Sequence, residues 1–206
     1  STAEGLDAFL EAAIKTQSLF RAVFQKEPVD FGGLLEEIKI NLDQSFTQLS
    51  LAETQFGQEP EAELLQEVRG LILQARQAIV VLPDLIGLQK KQTYLVLLQN
   101  NSELRPTGGF IGSFGLLTFD GGRLVDFEVK DVYSADGQLK GHVEPPADLK
   151  KYLGEAGWYL RDSNWDPDFP SSAQRAAWFL EKETGRTVDG VVGLNLTLAQ
   201  QILKAV

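Results

Sequence analysis

Apolar positions recur at helical spacing through the first 88 residues, then switch to strand-like runs, so the chain reads as two regions. Leu6, Phe9 with Leu10, Ala13, Phe20 and Phe24 fall on one stripe, broken only by Gln17. Leu35, Ile38, Leu42, Phe46, Leu49, Ala52 and Phe56 form a second. A third runs through Leu64 and Leu65, Val68, Leu71 and Ile72, Ala75, Ile79 and Leu82. Pro28 with Asp30, and Gly57 with Pro60, separate them, because proline and glycine interrupt helical hydrogen bonding. Three amphipathic helices of this length predict an antiparallel bundle or stalk over residues 1–88, with the stripes as its core. Pro83-Asp84 is expected to end the third helix, and Leu85–Lys91 to link it onward.

From Gln92 the period changes. The run Thr93–Gln99 is continuously apolar at its centre, as for a strand buried on both faces. Phe110–Phe119 and Leu124–Lys130 flank Asp120-Gly121-Gly122-Arg123, a hairpin signal. In the second of these strands Val125, Phe127 and Val129 alternate with Asp126, Glu128 and Lys130, so one face should meet water or a ligand. Asp131–Pro146 reads as a long loop, and Pro146–Leu153 as a short helix with proline at its start. Ser171–Thr184 reads as a helix capped by serine and closed by Gly185, Val188–Leu194 as a strand, and Thr197–Val206 as a last helix. Residues 89–206 are therefore predicted to form an α/β head, with α+β as the alternative: a mixed sheet flanked by helices.

Composition narrows the function classes. A net charge of −10 and a pI near 4.6 argue against a surface built for nucleic acid or anionic membranes. No cysteine is present, which excludes thiol catalysis, disulfides and cysteine metal sites and fits an exported protein, as it fits many cytosolic ones. His142 is the single histidine, and no nucleophile-elbow motif accompanies it. No apolar run reaches the roughly 18 residues that cross a bilayer. With no methionine, and a last helix that ends uncapped, the sequence reads as a piece of a longer protein, its head cut at the C-terminus.

The polar strand exit Gln99–Ser113, QNNSELRPTGGFIGS, is the stretch hardest to explain by packing. A guanidinium beside glycines whose N–H groups are accessible suits a phosphate or carboxylate, so Arg105 leads the candidates. Asn100, Asn101, Glu103, Thr107, Gly108 and Gly109 join it, with Arg161 and Asn164 from the run RDSNWDPDFP. The competing reading is an Arg105 that pairs Glu103 or a carbonyl. In the second run, Asp162, Asp166 and Asp168 alternate as in the opening of a calcium loop, and Mg2+ or Ca2+ is the cofactor such a loop would admit. Pro167 and Ala173 stand where an EF-hand needs glycine and glutamate, so turn-making and helix capping are the alternative. Trp158, Trp165 and Phe169 read as core plugs. Asp126, Glu128, Asp131 and Asp136 form a third acidic group, either a metal or acid–base pair or a solvated face. Asn195-Leu196-Thr197 reads as an N-cap.

The ordered runs YLVLLQNNSELRPTGGFIGSFGLLTFDGGRL, DVYSADGQL, RDSNWDPDFPSSA and TVDGVVGLNLTLAQQILKA resemble a widespread bacterial family known only as a domain of unknown function. The resemblance implies an extracytoplasmic envelope protein, membrane-anchored through a segment outside this sequence, and a helical stretch preceding the head. More distantly, the order of motifs is similar to the LytR-CpsA-Psr transferases. Those move glycopolymers from a polyprenyl-pyrophosphate carrier onto peptidoglycan. By that likeness Arg105 would face a pyrophosphate, Asn164 would match a loop asparagine, and a lipid-linked or cell-wall glycan would be the ligand. Two readings follow: an envelope domain binding a polar or anionic ligand at the Arg105 loop, or a phosphotransferase.

Overall fold

The computed structural model describes residues 1–25, 27–56 and 60–205, and their side chains except at 54–56, 60–62, 199 and 202–205. Gly57, expected as a helix break, lies outside the described residues. The chain divides into two compact units, 1–91 with 119–124, and 92–118 with 125–206.

The first unit holds α1 (Thr2–Phe24), α2 (Phe31–Phe56) and α3 (Pro60–Leu85). At the head of α1, the Ser1 side chain accepts from the Glu4 N–H while Glu4 reaches back, a capping box. Asp30 Oδ1 accepts from the Gly33 N–H at 2.9 Å and starts α2. Most of the α2 and α3 stripes is buried, Leu35, Ile38, Leu42 and Leu49 meeting Leu65, Ile72 and Ile79 in one cluster, while Leu64 and Leu71 of the third stripe stay exposed.

The stripe read for α1 is a correction. The helix buries Gly5, Ala12, Leu19, Ala22 and Val23, while Leu6, Leu10, Phe20 and Phe24 stay exposed at 40%, 58%, 64% and 58%. The reason is the size of the contact residues. A Cβ at Gly5 would sit 2.8 Å from the Leu49 side chain, so the small-residue face lets the helices approach closely. Dispersion over that contact outweighs burial of the larger, more apolar stripe. The helix α3 also runs on through Pro83 to Leu85. A proline in the last turn removes one N–H but leaves the neighbouring bonds: Ile86 N–H still reaches Leu82 O at 2.9 Å.

Residues Phe119–Leu124, the tip of the hairpin, belong to this unit, a division the sequence reading did not foresee. Phe119 and Leu124 pack on the helical core, and Gly121 N–H donates to Gly87 O at 2.9 Å. Gly121 and Gly122 have φ of +55° and +85°, as a two-residue hairpin turn requires.

The second unit is a four-stranded mixed sheet in the order β3-β2-β1-β4, from β1 (Gln92–Asn100), β2 (Phe110–Asp120), β3 (Arg123–Asp131) and β4 (Gly190–Asn195). The parallel pair β1–β4 registers Tyr94 with Gly190 and Gln99 with Asn195. Around it come α4 (Tyr133–Asp136), α5 (Ala147–Leu153), a 3-10 segment (Leu160–Trp165), α6 (Phe169–Thr184) and α7 (Leu196–Ala205). The core joins Leu95 and Leu97 of β1 and Phe114 and Leu116 of β2 to Leu160, Phe179 and Leu180. The fold class is α/β with a mixed sheet flanked by helices, preceded by the helical region. Three local readings change. Asp168, not a serine, caps α6, accepting from Ser171 N–H at 2.9 Å, because it is the residue left with extended backbone. The loop expected at 131–146 contains α4, and Asp131 at the end of β3 accepts from Tyr133 N–H at 2.9 Å. On β3, an edge strand, Val125, Phe127 and Val129 are exposed.

Candidate functional site

The polar strand exit folds onto itself. Asn100 Nδ2 donates to Glu103 Oε1 at 2.9 Å, and Asn100 Oδ1 accepts from Ser102 N–H at 3.1 Å. Asn101 Nδ2 donates to Thr197 Oγ1 at 3.1 Å, at the start of α7. Phe110 N–H donates to Glu103 O at 2.8 Å, closing the loop. Its glycines are forced by space and backbone together. Gly108 and Gly109 have φ of +102° and +117°, and a Cβ at Gly109 would lie 2.1 Å from Asn100 O. Buried Gln99 fills the gap, donating from Nε2 to Thr107 O at 2.6 Å.

The loop is fastened to the 3-10 segment. Arg105 Nε donates to Asp162 Oδ1 at 2.8 Å, its Nη1 to Leu104 O at 2.9 Å, and its guanidinium lies 5.3 Å from the Phe110 ring centre. Thr107 Oγ1 donates to Asn164 O at 3.2 Å, and Asn164 Nδ2 to Gly109 O at 2.7 Å. Arg161 continues the network: Nη1 to Asp136 Oδ2 at 2.8 Å, Nη2 to Glu155 Oε2 at 2.7 Å, and Nε 3.4 Å from Asp162 Oδ2. Stacked 4.4 Å from the Tyr159 ring centre, Arg161 is held on every side. Burial alone would lower its pKa, but hydrogen bonds to Asp136 and Glu155 outweigh that and raise it.

The network is desolvated. The Arg105 side chain is 11% exposed, and Asp162 and Asn164 are buried. Burial pushes the Asp136 carboxyl up against the pull of Arg161. Glu183, buried with Oε1 on the Leu160 N–H at 3.0 Å, is pushed up to about 8, first by burial and then by the Asp136 charge.

Arg105, Thr107, Gly109, Arg161, Asp162 and Asn164 are thus brought together, but with one another. Asn100, Asn101 and Glu103 shape the exposed loop. Asp162, Asp166 and Asp168 do not converge, and among the described residues no group of three or more acidic or histidine side chains could hold a metal ion. Asp162 serves the arginines, Asp166 Oδ1 accepts from Asp168 N–H at 2.8 Å, and Asp168 is a cap. Hydrogen bonds to Ser171 lower the Asp168 pKa. The third acidic group also disperses: Glu128 pairs with Arg186 and Lys130, Asp131 accepts from Tyr133 N–H, and Asp136 takes Arg161. His142 is exposed beside Glu144, at 2.9 Å.

The 3-10 segment faces two ways. While Asp162 and Asn164 hold the loop, Ser163 and Trp165 line an open cavity of about 420 Å³ with Trp158, Asp148, Asp166 and Arg175. Trp158 Nε1 donates to Asp162 O at 2.9 Å, and Arg175 lies over its ring at 4.7 Å. The sequence reading treated both tryptophans as plugs and passed over Ser163 and Arg175. The signal was there only in part: an arginine three residues before Trp178 on one helix face suggests stacking, not a cavity wall.

A family model described as a protein of unknown function, DUF4012, matches residues 89–206. The chain belongs to the DUF4012 family. The match covers the second unit and begins three residues before β1. No curated protein and no solved structure matches the chain, so the likeness to LytR-CpsA-Psr transferases is not shown. Among the described residues no helix is long and apolar enough to cross a membrane.

Proposed function

We propose that this DUF4012 domain is a binding module of the cell envelope, acting outside the membrane. In this reading it takes a polar ligand in the cavity between α5 and α6, with the Gln99–Ser113 signature as its brace. One observation carries the reading: alternate residues of a single short segment do two jobs. Asp162 and Asn164 are held by Arg105 and Gly109, and Ser163 and Trp165 are thereby presented to the cavity. A guanidinium already paired at 2.8 Å and nearly buried is poorly placed to clamp a pyrophosphate, because a ligand would first have to break the pair. The envelope location rests on the family resemblance of the four sequence runs.

The test is binding of soluble cell-wall fragments, followed by tryptophan emission. Binding is expected to fall in Trp165→Ala and to survive in Arg105→Lys, which keeps the charge opposite Asp162. Loss in Arg105→Lys with no change in Trp165→Ala would return the ligand to the Arg105 loop and overturn the proposal.

A further inference from the structure

Among the described residues of this unit, Asp136 Oδ1, Asp162 Oδ2, Asn164 Oδ1, Glu183 Oε2 and Ser163 Oγ are buried without a hydrogen-bond partner, and of these residues Ser163 is the one that lines the cavity of about 420 Å³. Ser163 is 1% exposed, yet its Oγ has no hydrogen-bond partner among the described residues. A buried hydroxyl without a partner is costly, and such a group beside a cavity is explained by something that enters the cavity. Arg175 stacks on Trp158 and Trp178, but no hydrogen bond or ion pair among the described residues uses its guanidinium. Neither a ring nor a cation stacks on Trp165, and its indole N–H has no partner among the described residues. Elsewhere in this unit Arg105 and Arg161 are each paired with a carboxylate, whereas Arg175 is not.

The chemistry of these groups selects a ligand class. Asp148 and Asp166 against Arg175 leave the lining with an excess of one negative charge, which disfavours phosphates and carboxylates. Carboxylates accept, a guanidinium and an indole N–H donate, and a serine does both. A set of this kind matches hydroxyl groups, each of which donates and accepts. An indole that lines the cavity with no ring or cation stacked on it among the described residues suits the C–H face of a sugar ring, an apolar surface edged by hydroxyls. The Trp158 face is already covered by Arg175, which leaves Trp165 as the platform. The volume lies within the roughly 300–1,000 Å³ usual for small-ligand sites, enough for a short oligosaccharide.

We infer that this cavity is a subsite for a neutral saccharide, stacked on Trp165 and hydrogen-bonded by Ser163 and Arg175. The assignment rests on the binding role proposed above and names its ligand class. The experiment is calorimetric and fluorescence titration with a neutral trisaccharide of N-acetylglucosamine and one of glucose, beside pyrophosphate and tetralysine. A neutral trisaccharide is expected to bind, and Trp165→Ala to weaken it at least about tenfold. Ser163→Ala should weaken it about three- to tenfold while leaving the unfolding temperature unchanged or higher. A merely structural Ser163 would not move binding. Trisaccharide binding that is absent, or equal in the parent and both variants, overturns the saccharide. Pyrophosphate or tetralysine binding that depends on Trp165, without any trisaccharide, overturns the class but keeps the binding role. No response to any of the four probes overturns both.

Discussion

Two faces of one six-residue segment differ in how their charges are paired. Toward the Gln99–Ser113 loop, Asp162 and Asn164 sit in a desolvated network where each cation has its anion, and what is left over is acceptor oxygens, Asp136 Oδ1, Asp162 Oδ2 and Asn164 Oδ1. Toward the cavity, Ser163 and Trp165 are presented with polar groups that nothing in the described residues uses. The difference teaches that the most conspicuous charged motif of a chain need not be its site. Buried ions demand partners and obtain them from within the fold, whereas groups kept for a ligand must be left incomplete.

Removing one member of the network should have the largest effect. In Asp162→Ala two guanidinium groups lose a buried partner, and the expected cost is about 3–5 kcal/mol in urea unfolding. A change below about 1 kcal/mol would mean that the network is far wetter than its burial suggests. Next comes Gly109→Ala. A side chain there is strained at φ +117° and collides with Asn100 O, so a loss of about 2–3 kcal/mol is expected by thermal unfolding. The same substitution at Gly121, with open space around its Cβ position, should cost less.

The buried acid Glu183 sharpens the comparison through pH. Its folded pKa of about 8 lies above the ordinary 4.5, so between these values the folded protein binds more protons than the unfolded one. Stability should therefore decline as pH rises from about 4.5 to about 8, and Asp136, also raised, acts in the same direction at its lower end. Glu183→Gln, measured as unfolding free energy against pH, is expected to flatten that decline, and an unchanged slope would assign it to other groups. Smallest is Ser163→Ala, where loss of an unpartnered hydroxyl should change stability by less than about 0.5 kcal/mol or raise it. A clear destabilisation would show that Ser163 belongs to the brace and not to the cavity.

The legibility of these features from sequence follows their range. Strand β1, the Asp120–Arg123 hairpin and the α6 region are local patterns and were readable, as were the polar loops that carry Arg105 and Asp162. The α1 stripe was misread because hydrophobicity counts Leu10 and Phe20 above Gly5 and Ala12, while packing favours the face that allows close approach. The metal reading of Asp162, Asp166 and Asp168 failed to find a converging group because alternate spacing says nothing about which oxygens already accept from Ser171, Asp168 or an arginine. Ser163 was invisible: a serine between two polar residues becomes informative only when its neighbours turn inward.

By itself the sequence determined the helical pattern of the first region, the α/β class of the chain and the membership carried by residues 89–206. Those depend on periodicity and backbone freedom, which are written residue by residue. Only the tertiary structure decided that Arg105 faces Asp162 across 57 positions of chain, and that Ser163, Trp165 and Arg175 share a cavity. Pairing and partnerlessness are properties of a fold, since they depend on what distant segments bring to the same place.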